Sequence, residues 1–111
     1  MPIFNLQRIY NSQLQFELQQ QITRAPVSGV IRKVTLWLES IRPSYQRKAQ
    51  WRMTIDGVDQ NVVITTFVEG APFAQDNLSI PINFGSLIQF VRVSAGYNAR
   101  VALTAQIDIE V

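Results

Sequence analysis

Residues 101–111, VALTAQIDIEV, decide the fold. Val101, Leu103, Ala105, Ile107, Ile109 and Val111 alternate with Ala102, Thr104, Gln106, Asp108 and Glu110. A helix would spread those apolar groups around its circumference, whereas a strand collects them on one face, because successive side chains point to opposite sides. The segment therefore reads as a strand with one face buried. Working back along the chain, the same period of two recurs. In QLQFEL, residues 13–18, Leu14, Phe16 and Leu18 oppose Gln13, Gln15 and Glu17. In KVTLWLE, residues 33–39, Val34, Leu36 and Leu38 oppose Lys33, Thr35, Trp37 and Glu39. Ala49, Trp51, Met53 and Ile55 then share a face against Gln50, Arg52 and Thr54.

The punctuation between these runs agrees. Turn residues cluster at 25–29 (APVSG), 42–44 (RPS), 56–57 (DG), 70–72 (GAP), 83–85 (NFG) and 95–98 (AGYN). Asp56-Gly57 predicts a two-residue type I′ hairpin, which needs positive φ at both central positions. Pro81 confines 79–82 (SIPI) to an edge strand or a strand end, because proline has no N–H for the ladder. No useful helix-period segment interrupts the pattern. The expected fold is an antiparallel β-sandwich or jelly roll of about seven to nine strands, with a small closed barrel as the alternative. The 111 residues form one domain, 1–111, and residues 1–12 read either as a first strand or as an N-terminal arm docked on a neighbour.

Composition removes most chemistry. The chain has no His and no Cys, so it offers no Ser-His-Asp or Cys-His arrangement, no usual zinc site and no disulfide framework. Its eight acids are scattered, and Asp108 and Glu110, which share a strand face, read as solvating groups that discourage edge pairing. DGVDQN, residues 56–61, lacks the alternating acids and terminal Glu of a calcium loop and reads as a turn. No phosphate-cradling glycine motif occurs. We expect no enzyme activity and no cofactor.

No signal peptide and no apolar run long enough for a membrane span is visible. The expectation is a soluble cytoplasmic chain, or a virion component if it comes from a phage. Only 16% of residues are charged, while twelve Gln, six Asn and seven Ser make up much of the polar surface. Such a surface repels its own copies weakly, which suits assembly.

Residues 32–57, RKVTLWLESIRPSYQRKAQWRMTIDG, hold six of the ten basic residues and both tryptophans. Alternation splits this cluster. Trp51 falls on the apolar face and reads as core, whereas Trp37 points outward between charged neighbours. The candidate contact surface is Trp37, Arg42, Tyr45, Arg47, Lys48 and Arg52. Exposed Trp, Tyr and Arg are the side chains expected to anchor a protein contact. The same residues permit stacking on a sugar ring, which makes a carbohydrate-binding module the alternative. A single-stranded nucleic acid platform is the second alternative; Glu39 within the cluster and a net charge of only +2 argue against it.

The order SGVIRKVTLWLES, WRMTIDGV and FGSLIQFVRVSAGYNARVALTAQIDIEV, roughly residues 28–111, resembles the small β-sandwich modules of tailed-phage virions, such as capsid decoration proteins and tail or fibre domains. That resemblance implies a structural protein that binds a capsid or tail protein and associates with itself, a trimer being favoured. It carries no functional residue across.

Overall fold

The computed structural model describes residues 2–12, 22–42, 49–94 and 100–111. Nine strands run through them: β1 (Ile3–Ser12), β2 (Ile22–Arg24), β3 (Gly29–Arg42), β4 (Ala49–Ile55), β5 (Val58–Thr66), β6 (Pro72–Gln75), β7 (Ile80–Ile82), β8 (Leu87–Ser94) and β9 (Arg100–Glu110). No helix interrupts them among the described residues.

Two open sheets pack face to face. The first has the order β1-β9-β3-β6, with β7 also paired to β3, and the second has the order β2-β8-β4-β5. All pairs between these strands are antiparallel. The pairing is nested: β1 takes β9, β2 takes β8, β3 takes β6 and β7, and β4 takes β5. A long hairpin rolled so that successive pairs fall alternately into two sheets has this connectivity, which is the jelly-roll sandwich. The barrel alternative does not describe it.

Alternation builds the core from both inner faces. Val34, Leu36, Leu38, Leu103, Ala105, Ile107 and Ile109 come from the first sheet, and Trp51, Met53, Ile64, Ile88 and Phe90 from the second. All are at most 5% exposed. Trp51 donates its indole N–H to Thr66 Oγ1 at 3.2 Å, so the one polar atom of a large buried ring is satisfied within the core.

Local expectations meet the structure at definite residues. Asp56 and Gly57 have φ of 50° and 82°, and Ile55 pairs directly with Val58, as the two-residue hairpin requires. Its tip is tied to the next sheet strand: Asp56 N–H donates to the Leu87 carbonyl, and Leu87 N–H donates to Asp56 Oδ1, both at 2.9 Å. Pro81 sits opposite Val30 in the short strand β7, off the main path of its sheet, as an N–H-less residue must. Residues 3–12 are a strand, β1. The QLQFEL segment and the turn at 95–98 lie outside the described residues.

Gly29 marks where the first sheet is tightest. A Cβ there would fall on the Glu110 carbonyl oxygen and 2.9 Å from Ile109 Cγ2, so β3 can enter beside β9 only without a side chain.

Candidate functional site

The expected contact surface is built from β3 and β4, which lie in different sheets. Trp37 sits on the outer face of the first sheet, between the fully buried Leu36 and Leu38, and is itself partly exposed. Its register partners are Thr104 on β9 and Pro72 on β6. Arg52 sits between the buried Trp51 and Met53 of β4, so it projects from the outer face of the second sheet. Trp37 and Arg52 therefore face opposite sides of the sandwich. The structure does not bring them together.

Arg52 also has a partner. Its Nη1 lies 3.0 Å from Asp59 Oδ2 across the β4–β5 hairpin. Arg42 is the last residue of β3, opposite Arg100. Tyr45, Arg47 and Lys48 lie outside the described residues.

Around Trp37 the outer face is polar, with the exposed Glu39 two residues along β3 and the Lys33 and Asp108 positions farther along the sheet. One step along β9 from Thr104, Gln7 donates to Gln106 Oε1 at 2.6 Å and Gln106 donates to Asp108 Oδ1 at 3.0 Å, a ladder running across β1 and β9. The acids read as solvating groups are thus tied to neighbours. Asp108 belongs to that ladder and lies opposite both Asn5 and Lys33, while Glu110 pairs with Arg32 at 3.3 Å.

Residue type does not single out Arg32; its position does. The β3–β9 register passes from Ile31↔Ile109 to Lys33↔Asp108, which leaves Arg32 as the extra residue of a bulge. The bulge turns its side chain toward the approach to β7. Its Nη1 donates to Ser79 Oγ at 3.0 Å, and its carbonyl accepts from Leu78 N–H at 2.9 Å. Arg32 pins a loop rather than meeting a ligand.

A set of exposed apolar side chains, missed by alternation, lies at one end of the sandwich. Phe84 is 75% exposed, Val58 62%, Ile3 48% and Val111 44%. Connectivity gathers them there. Phe84 N–H donates to Ser28 Oγ just before β3, Val111 N–H donates to the Pro2 carbonyl beside Ile3, and Val58 follows the hairpin tip clamped to Leu87. The NFG turn signal was legible at 83–85, but a turn signal does not say whether its central side chain is covered. A second apolar pair lies between the edge strands β5 and β6: the rings of Phe67 and Phe73 are 4.4 Å apart and inclined by 46°. Phe73 is partly buried against the core and Phe67 is 56% exposed.

Among the described residues no three acidic, His or Cys side chains converge as a metal site would need. Nor is any helix among the described residues long and apolar enough to cross a membrane.

Comparison with known proteins adds the fold and no activity. No family model matches the chain, and no curated protein matches it. Among solved structures it is similar to part of a β-glucosidase from Paenibacillus barengoltzii, with a TM-score of 0.52 and 13% sequence identity over 94% of this chain. The chain spans about a tenth (10%) of that protein's length. At that identity the likeness is one of fold alone.

Proposed function

We propose that this chain is a non-catalytic structural protein that associates with itself and binds a virion surface, as a capsid or tail component of a tailed phage. The observation that carries the reading is the end of the sandwich where Phe84, Val58, Ile3 and Val111 stay exposed. A sandwich that buries its core as fully as this one has no internal reason to leave a phenylalanine three-quarters in water, whereas a contact with another protein gives that ring a place. The absence of His and Cys and the low density of charge support the same reading.

Co-sedimentation with phage capsids and tails, alongside mass measurement in solution, tests it. Binding to one particle type, weakened at least about tenfold by Phe84→Asp with Val58→Asp, is the expected result, since a hot-spot pair contributes about 2 kcal/mol or more. A strict monomer that binds no particle overturns the proposal.

One observation favours a second reading, a carbohydrate-binding module. Trp37 lies on an outer face where its register partner Thr104 and, two residues along β9, Gln106 are uncharged hydrogen-bonding groups, with Glu39 the charged residue nearest along β3. A glycan array read with wild type and Trp37→Ala separates the readings: a sugar signal lost in the variant supports the module. The nucleic acid alternative has lost one of its cations, since Arg52 is on the other sheet and paired with Asp59.

A further inference from the structure

The sandwich has four lateral edges, and they are not equally protected. Edge strands attract other strands because they present unpaired N–H and C=O groups, and proteins blunt them with prolines, bulges, charges or short length. The β6/β7 edge of the first sheet is broken into pieces of four and three residues carrying Pro72 and Pro81. The β5 edge of the second sheet is kinked. Between Arg52↔Val63 and Thr54↔Asp59, β4 advances by two residues and β5 by four, so β5 carries two extra residues there, with Asn61 at a φ of 60°. That edge also carries the Arg52–Asp59 ion pair. Strand β2 offers three residues among those described.

Strand β1 has only one of these devices, a charge. It runs ten residues, pairs with β9 at every position from Ile3↔Glu110 to Ser12↔Val101 without a register shift, contains no proline, and carries a single charged residue, Arg8. Its only pairing strand among the described residues is β9. The core side of this edge is also unfinished. Phe4 lies opposite the fully buried Ile109, on the same face as Leu6, yet Phe4 is 38% exposed while Leu6 is 2%.

We infer that β1 is the strand through which two copies of this chain pair, antiparallel about a two-fold axis, joining their first sheets into one continuous sheet. A backbone ladder needs a partner edge that is itself long, unbulged and free of proline. Among the described edge strands β1 alone meets that requirement, so the partner that matches it is β1 of a second copy. The two-fold arrangement follows because each copy offers the same edge. Side-chain period adds a condition: the register must place even-numbered positions opposite even-numbered ones, which keeps Phe4 and Leu6 of both copies on the core side and brings new cover to Phe4. With that parity the overlap is at most nine residues, Ile3 opposite Asn11 or Phe4 opposite Ser12, about 31 Å long with roughly eight to ten main-chain hydrogen bonds. The inference rests on the self-association part of the proposed function and names its surface; it does not depend on what the assembled pair binds.

Because the chain has no cysteine, single substitutions Ile3→Cys, Asn5→Cys and Gln7→Cys carry one spin label each, with Val63→Cys on the β5 edge as the control. In an antiparallel pair the distance between equivalent labels changes by roughly 7 Å for each residue away from the axis, twice the rise per residue. The expected result is therefore a set of β1 distances that depend steeply on position, with a much longer distance at Val63. Ile3→Lys combined with Asn5→Lys should shift the mass from dimer to monomer with the far-ultraviolet dichroism unchanged; were that variant to unfold, the label distances alone decide. A dimer with its shortest distance at Val63, or with no positional dependence along β1, overturns the edge assignment and leaves self-association standing. A monomer at about 100 µM overturns both.

Discussion

The buried contact between Trp51 and Thr66 yields a prediction whose size follows from the structure. Trp51 is 2% exposed and Thr66 fully buried, and the indole N–H reaches Thr66 Oγ1 at 3.2 Å between β4 and β5. Trp51→Phe removes that hydrogen bond, about 1 kcal/mol, and part of a ring from a packed interior, about 2 kcal/mol at ~0.8 kcal/mol per buried methylene equivalent. The sum is about 3 kcal/mol, or roughly 10 °C in Tm for a chain of this size. Thr66→Val keeps the shape but leaves the indole N–H buried without its acceptor, which costs about 1–3 kcal/mol. Thr66 has other contacts that the valine also changes, so the double variant is the decisive measurement. Urea unfolding of wild type, both singles and the double closes a cycle in which those other contacts cancel. The expected coupling is about 1 kcal/mol, with the double variant less destabilised than the sum of the singles. Trp37 remains in every variant as the fluorescent reporter. Additivity within about 0.5 kcal/mol at constant m would refute the argument, because two residues joined by a buried hydrogen bond cannot be independent.

Other outcomes follow from named contacts. Gly29→Ala should cost about 3 kcal/mol or more by urea unfolding, since its methyl meets the Glu110 backbone and the buried Ile109, neither of which can yield cheaply. Gly57→Ala should cost about 1 kcal/mol by strain alone, because φ is 82° with open space around it, and Gly57→Asn should recover most of that loss. Arg52→Ala should change stability by less than about 1 kcal/mol, its pair with Asp59 being exposed on both sides, whereas Arg32→Ala should speed amide exchange at Leu78, whose N–H donates to the Arg32 carbonyl in the loop that Arg32 pins.

Legibility in the sequence tracked the range of the physics involved. Alternation in 33–39, 49–55 and 101–111 announced strands because each sheet has one wet and one dry face, and the same count placed Trp51 inward and Trp37 outward. Asp56-Gly57 was legible because a tight turn is decided by two residues. Nothing local distinguishes Arg32 from Lys33; only the β3–β9 register, set by residues more than 70 positions away, makes one an anchor and the other a face residue. Trp37, Arg42, Tyr45, Arg47, Lys48 and Arg52 form one cluster in the sequence because they are close along the chain. A jelly roll, however, sends β3 and β4 to opposite sheets, so proximity along the chain there means separation through the core.

The same topology explains why the better candidates for contact came from residues that no motif marked. When successive strands alternate between sheets, what meets at an end or an edge of the sandwich comes from distant parts of the chain: Ile3, Val58, Phe84 and Val111 at one end, and a single unbroken first strand at one edge. Each of these residues would pass as core by type. Their exposure carries information because the rest of the molecule shows what this sequence does with apolar residues when it means to cover them, and with edges when it means to close them: Leu36, Ile107 and Phe90 are at most 1% exposed, and β5, β6 and β7 are kinked or interrupted. The exceptions are therefore the places where the proposed contacts with another chain are to be sought.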